Sequence, residues 1–183
     1  DQASAAWQTW NEENVTEGGE CALYFGDPLT GSYETPGATS QGTVTSPTWA
    51  IPGDLGDQVE VSFWLWMDLE DAFSQLDRLR LYAGLKFLSS LPPNESVLIW
   101  GKTCDPAGGL CDDPNFSAYC DVWGCATWPW GQWTHVTVPM STTLFDGYSH
   151  LNFQFAFDTV DAVMNDGVGI FIDDFRVRKT ACQ

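Results

Sequence analysis

Basic residues are scarce: seven lysines and arginines stand against 25 aspartates and glutamates in 183 residues, a formal net charge of −18. A field of that sign repels polyanions, which argues against nucleic acid and anionic membrane surfaces as partners. No apolar run of about 18 residues occurs, so no stretch has the length of a membrane-spanning helix, and membrane insertion is not expected. Histidine is limited to His135 and His150, and there is no HExxH motif, nucleophile elbow or phosphate loop. A glycosidase needs two carboxylates at a defined separation. Glu70-Asp71 borders a strand-like segment, but no Glu-x-Asp-x-x-Glu pattern accompanies it, and an enzyme is not expected. The opening Asp1-Gln2-Ala3 has no leader pattern and reads as a mature or excised end.

What is abundant is apolar and aromatic. Apolar residues make up 44% of the chain, with 10 Trp and 11 Phe, which excludes disorder despite the charge. The length suits one domain over residues 1–183 with a sizeable core, and no internal repeat or linker interrupts it.

Six cysteines stand at Cys21, Cys104, Cys111, Cys120, Cys125 and Cys182. Four of them crowd a loop-like stretch, 102–131, that reads as an insertion between two strands. Zinc is the rival reading for those four, but zinc sites favour short paired Cys-x-x-Cys knuckles. The spacings here are seven, nine and five, and neither histidine lies near. Disulfides, and hence an oxidising, secreted setting, are therefore expected. Cys21 with Cys182 would tie the terminal regions together, and the loop pairs are open: 104–111 with 120–125, or crossed. Asn14-Val-Thr16, Asn94-Glu-Ser96 and Asn115-Phe-Ser117 are glycosylation sequons.

Period-two alternation dominates from residue 58 onward, the mark of strands with one buried face. Val59, Val61, Phe63, Leu65 and Met67 alternate with Glu60, Ser62, Trp64, Trp66 and Asp68. Leu79, Leu81 and Ala83 alternate with Arg78, Arg80 and Tyr82. Val136 and Val138 alternate with His135 and Thr137, and Leu151, Phe153, Phe155 and Phe157 with His150, Asn152, Gln154 and Ala156. Shorter strands are predicted over 22–25, 42–46 and 97–100. A last strand, 169–178, is apolar on both sides, as befits a central position. Asp68–Ser90 holds the one plausible helical stretch, although Leu76–Leu81 reads better as strand. About eight strands with Gly, Pro, Asp and Asn turns predict an all-β, two-sheet antiparallel β-sandwich of jelly-roll type.

Two adjacent carboxylates, Asp173 and Asp174, interrupt that last strand. In a strand buried on both faces at least one must point inward, and a buried unpaired carboxylate is costly. It is expected to coordinate a cation, or else to cap backbone amides or pair with Arg176 or Arg178. Upstream, Asp158, Asp161, Asn165 and Asp166 form a loop rich in the hard oxygen donors that calcium takes.

The segments Cys21–Tyr33, Gly42–Pro47, Val61–Trp66, Trp133–Val138, Phe155–Thr159 and Gly169–Phe175 together resemble MAM-like jelly-roll domains of large secreted proteins. Similar modules accompany secreted M6-type metallopeptidases and surface adhesins. The resemblance covers most of the chain outside the Cys-rich insertion. It implies a concanavalin-like jelly roll, a non-catalytic extracellular role in binding or adhesion to a protein or glycan, and a structural calcium site. On this chain that site would fall to Asp173, Asp158 and Asp27. No acidic first strand of the usual kind precedes Trp7, so a ligand from there would have to come from Glu12 or Glu20.

The alternation also predicts a ligand face. If Phe63, Leu81, Val136 and Phe153 point inward, Trp64, Trp66, Arg78, Arg80, Tyr82, Trp133, His135, Asn152 and Gln154 point outward. On one sheet they would form an aromatic and polar surface suited to stacking and hydrogen-bonding a sugar, as in a carbohydrate-binding module of a secreted hydrolase. The alternative is that loops cross the sheet and bury these tryptophans in a second, minor core. Trp123, Trp128, Trp130 and Trp133 likewise either expose a binding cluster or pack over the loop disulfides.

Overall fold

The computed structural model describes residues 5–11, 21–53, 58–69, 77–89, 92–102, 131–159, 162–163 and 165–180. Ten strands are found there, against about eight expected: β1 (Ala6–Trp10), β2 (Ala22–Gly26), β3 (Gln41–Thr45), β4 (Trp49–Ala50), β5 (Gln58–Asp68), β6 (Arg78–Lys86), β7 (Glu95–Lys102), β8 (Thr134–Ser141), β9 (His150–Asp158) and β10 (Gly169–Thr180). The additions are β1 and the two-residue β4, both too short or too mixed to show a period. The stretch once open to a helix supplies β6 instead. Its Leu79, Leu81, Ala83 and Leu85 are fully buried, a period of two that no helix can present on one face.

Every pairing is antiparallel. The first sheet runs β1-β2-β10-β5-β8 and the second β3-β9-β6-β7, with β4 also paired to β9. The all-β two-sheet sandwich is thus the fold of the described residues. Its core is the layer between the sheets, filled from β5 by Val59, Val61, Phe63, Leu65 and Met67 and from β9 by Leu151, Phe153, Phe155 and Phe157. Phe63 meets Phe155 edge-on at 5.2 Å and Trp100 at 5.4 Å. Burying one such ring stabilises the fold by about 1.5–3 kcal/mol, so the facing aromatic and aliphatic rows set the pairing of the two sheets.

The carboxylate pair in β10 shows the amide capping and arginine pairing that were the expected alternative to a cation. Asp174 adopts a left-handed backbone, φ 51°, and the β10–β5 register shifts between Asp173 and Arg176. This is a β-bulge: Asp174 is the extra residue, a conformation that Asp tolerates better than most. The bulge lets Ile172 join the core and Phe175 pack against it, while Asp173 stays buried at 8% exposure. Asp173 turns to the outer face opposite Trp64, and its Oδ1 accepts the Asp174 N–H at 2.6 Å. Asp174 pairs with Arg176 at 2.6 Å.

Candidate functional site

The residues expected to share one ligand face divide between two. Trp64 and Trp66 belong to β5 in the first sheet, whereas Arg78, Arg80, Asn152 and Gln154 belong to β6 and β9 in the second. All six point outward, so the two groups lie on opposite sides of the sandwich. Alternation reports whether a side chain faces in or out. It does not report which sheet its strand joins.

On the first sheet the outward aromatics form a row across the strands. Tyr24 stacks on Phe171 at 4.5 Å, Phe171 meets Trp66 at 5.3 Å, and Trp133 lies 6.3 Å from Phe171. Trp10 packs on Tyr24 at 5.2 Å, and Trp64 on His135 at 5.0 Å. Tyr24 is only 1% and Phe171 5% exposed, so the middle of this row is a second apolar layer. Tyr24 donates its hydroxyl proton to the Val168 carbonyl at 2.8 Å. Burial, and then the charge of Asp27, push its pKa up to about 12. Trp64 and Trp66 themselves stay half-exposed.

The outer face of the second sheet is different in chemistry. Register places its outward residues in rungs across β3, β9, β6 and β7. One rung reads Thr43, Ala156, Arg80, Gly101, the next Thr45, Gln154, Tyr82, Leu98, and the third Asn152, Gly84, Ser96. Successive rungs lie about 6.7 Å apart, two residues of extended chain. Thr45, Tyr82, Gly84, Pro93, Ser96, Asn152 and Gln154 line a cavity of about 220 Å³. Pro93 forms a wall because the turn after β6 folds back, the Asn94 N–H donating to the Leu85 carbonyl at 2.7 Å. Gly84 forms the floor. A Cβ there would overlap Asn152 Oδ1 and come within 2.9 Å of Pro93 Cγ.

Asn152 is 5% exposed, and its buried Oδ1 has no hydrogen-bond partner. Leaving such a group unsatisfied costs about 1–3 kcal/mol, which a ligand donor in the cavity would recover. Tyr82 and Gln154 are half-exposed beside it, presenting a ring and an amide to the same space. Thr45, Pro93, Gly84 and Ser96 were not foreseen as site residues. Gly84 left the one usable signal: a glycine inside a strand, two positions from Tyr82, marks a close approach on that face.

The expected calcium ligands that are described fall in different places. Asp27 ends β2 in a turn, its Oδ1 accepting the Leu29 N–H at 2.9 Å. Asn165 is buried nearby, its carbonyl 3.5 Å from Ser32 Oγ. Asp158 instead sits outward on β9 beside Arg78. Asp173 lies five residues along β10 from the level of Asp27, roughly 16 Å away. Among the described residues no group of three or more His, Cys, Asp or Glu side chains comes together. Asp161 and Glu70 lie outside the described residues, as do Cys104, Cys111, Cys120, Cys125 and Cys182, the insertion at 103–130 and Trp123, Trp128 and Trp130. Cys21 is exposed and unbonded among the described residues.

No protein-family model and no curated protein sequence matches the chain. Solved structures match its shape. A carbohydrate-binding module of promiscuous specificity from the β-sandwich superfamily aligns over 97% of this chain and 54% of its own, with TM-score 0.53 and 12% identity. The K1 cleaved adhesin domain of Lys-gingipain from Porphyromonas gingivalis W83 aligns over 97% and 85%, with TM-score 0.47 and 13% identity. The enzymatically active domain of tailspike protein 4 from bacteriophage CBA120 aligns over 96% and 18%, with TM-score 0.48 and 11% identity. The chain thus spans about half of the carbohydrate-binding structure and under a fifth of the tailspike. At such identities the likeness establishes the β-sandwich and nothing finer. It does not single out a MAM-like domain or a link to M6-type metallopeptidases.

Proposed function

We propose that this chain is a non-catalytic carbohydrate-binding module that holds a glycan against the outer face of its second sheet. The observation that carries the reading is the buried, unpartnered Asn152 Oδ1 on the floor of a cavity flanked by Tyr82 and Gln154. A sugar offers both things this cavity lacks: hydroxyl donors for the amide oxygen and an apolar ring face for Tyr82. A protein-adhesion role, which the family resemblance puts first, draws on an apolar central patch. The rungs here are mostly polar, which favours the glycan. Hydrolysis requires two carboxylates across the bond to be cut; the three rungs named above carry none, and Asp158 stands alone in the next rung, across from Arg78. The cysteines and sequons support an extracellular setting.

The test is retention on a glycan array and in affinity gels, using the full chain. Tyr82→Ala and Gln154→Ala are expected to lose retention, while Trp64→Ala, on the opposite face, keeps it. A chain that no glycan retains, or one whose retention follows Trp64 and not Tyr82, overturns the proposal.

A further inference from the structure

The same face carries charge of an unexpected sign. The chain has seven basic residues in all, and three of them, Arg78, Arg80 and Lys86, project from one side of β6. They follow from the alternation that buries Leu79, Leu81, Ala83 and Leu85, so β6 presents the outward column Arg78, Arg80, Tyr82, Gly84, Lys86. In a molecule of net charge −18, this column gathers three of the seven basic residues.

The three cations are not equivalent. Arg78 stands directly across from Asp158 on β9. Lys86 is buried and donates to Thr48 Oγ1 at 2.8 Å. Arg80 is half-exposed, makes no ion pair among the described residues, and sits one rung from the Tyr82 cavity. Its cross-strand neighbours are Ala156 on one side and Gly101 on the other, the two smallest side chains available. Among the described residues, neither of these two neighbours fills the space beside the guanidinium or carries a charge to pair with it. An arginine held in that way matches a planar carboxylate, which it can bind with two parallel hydrogen bonds.

We propose that the glycan taken on this face is acidic, a polysaccharide bearing carboxylates, with Arg80 receiving a carboxylate while the adjoining sugar occupies the Tyr82–Asn152 cavity. The proposal rests on the glycan-binding reading above and narrows it to a ligand class. The rest of the molecule works against such a ligand. Its excess negative charge repels polyanions in general, so an acidic polymer is bound only where its carboxylate meets Arg80.

Titration calorimetry of the full chain against polygalacturonate, its methyl-esterified form, dextran sulfate and neutral xylan and mannan separates the possibilities. Polygalacturonate is expected to bind at least about tenfold more tightly than the esterified and neutral polymers, the usual scale of a hydrogen bond to a charged group. Arg80→Gln is expected to erase that preference and leave the weaker neutral binding, and Arg80→Lys to restore part of it. Neutral polymers bound as tightly as polygalacturonate, with Arg80→Gln silent, overturn the acidic assignment and leave the glycan-binding reading standing. Dextran sulfate bound more tightly than polygalacturonate overturns the carboxylate assignment. Binding of no polymer by a folded chain overturns both. Far-ultraviolet circular dichroism and a thermal melt of each variant verify the fold.

Discussion

On the first sheet the outward row of Tyr24, Phe171 and Trp66 is aromatic and closed at its centre, while on the second sheet the outward row of Thr45, Gln154 and Tyr82 is polar and at least half-exposed throughout. Both rows arise from the same alternation against the same core. The difference lies in what the outward groups do for one another. The rings of the first face are each other's partners, down to the Tyr24 hydroxyl bonded to Val168. On the second face the buried Asn152 Oδ1 has no hydrogen-bond partner. Aromatic packing goes with the first face, and an unsatisfied polar atom with the face proposed to hold a glycan.

The largest effect that would sharpen this contrast is on stability. Phe171 lies at the centre of the closed row, so Phe171→Ala should destabilise the protein by about 3–5 kcal/mol, the range for truncating a buried aromatic ring. Denaturant unfolding measures this, and glycan affinity below the melting transition should stay unchanged. A Phe171→Ala protein of near-normal stability would mean that the first face is not a core layer, and the comparison would fail.

Alkaline pH probes the same layer. Tyr24 has its pKa pushed up to about 12 by burial and by Asp27, against an ordinary value of 10.0. The folded state thus holds the phenolic proton more tightly than the unfolded chain. The resulting stability is complete below about pH 10 and is lost as pH rises through the window from 10 to 12, a change on the order of 2 kcal/mol. Unfolding midpoints measured at about pH 9, 10 and 11 should fall for the native chain and fall less for Tyr24→Phe.

On the open face the expected effect is on binding. Tyr82→Ala should weaken the glycan by about tenfold or more, about 1.4 kcal/mol, with a smaller change in stability because Tyr82 is half-exposed. Trp64→Ala and Trp66→Ala should leave affinity within about twofold, a difference of a few tenths of a kcal/mol. The reverse pattern would exchange the roles of the two faces.

The physics of strands decides how much of this was legible in the sequence. Inward residues of β5, β6, β8 and β9 declare themselves, because a period of two against a core leaves apolar residues at every second place. Sheet membership does not, since Trp64 and Arg78 carry the same outward signature on strands that pair in different sheets. The β10 bulge was hidden as well. Two adjacent aspartates in an apolar strand look like a buried charge problem until one of them is removed from the alternation by a left-handed backbone. Arg80, Asn152 and Gln154 were named correctly as outward polar residues. The depth of Asn152 was not legible, because it depends on Gly84 across the strand and on Pro93 from a returning turn.

The smallest expected effect is the most discriminating. Asn152 combines near-complete burial with an unpaired carbonyl oxygen, a combination that a purely structural asparagine avoids. Replacing it by leucine removes the unsatisfied acceptor and retains a similar volume. Asn152→Leu should therefore change stability by less than about 1 kcal/mol, in either direction, although most polar-to-apolar changes that break a buried hydrogen bond cost more. Glycan affinity should fall nonetheless, because the ligand hydroxyl that satisfies Oδ1 loses its partner. Unfolding and binding measured on the same sample decide the matter. A loss of several kcal/mol in stability would show that Asn152 is bonded within the fold, and the cavity would then have no claim on a ligand. A stable variant with weakened binding ties the open face to recognition through one atom.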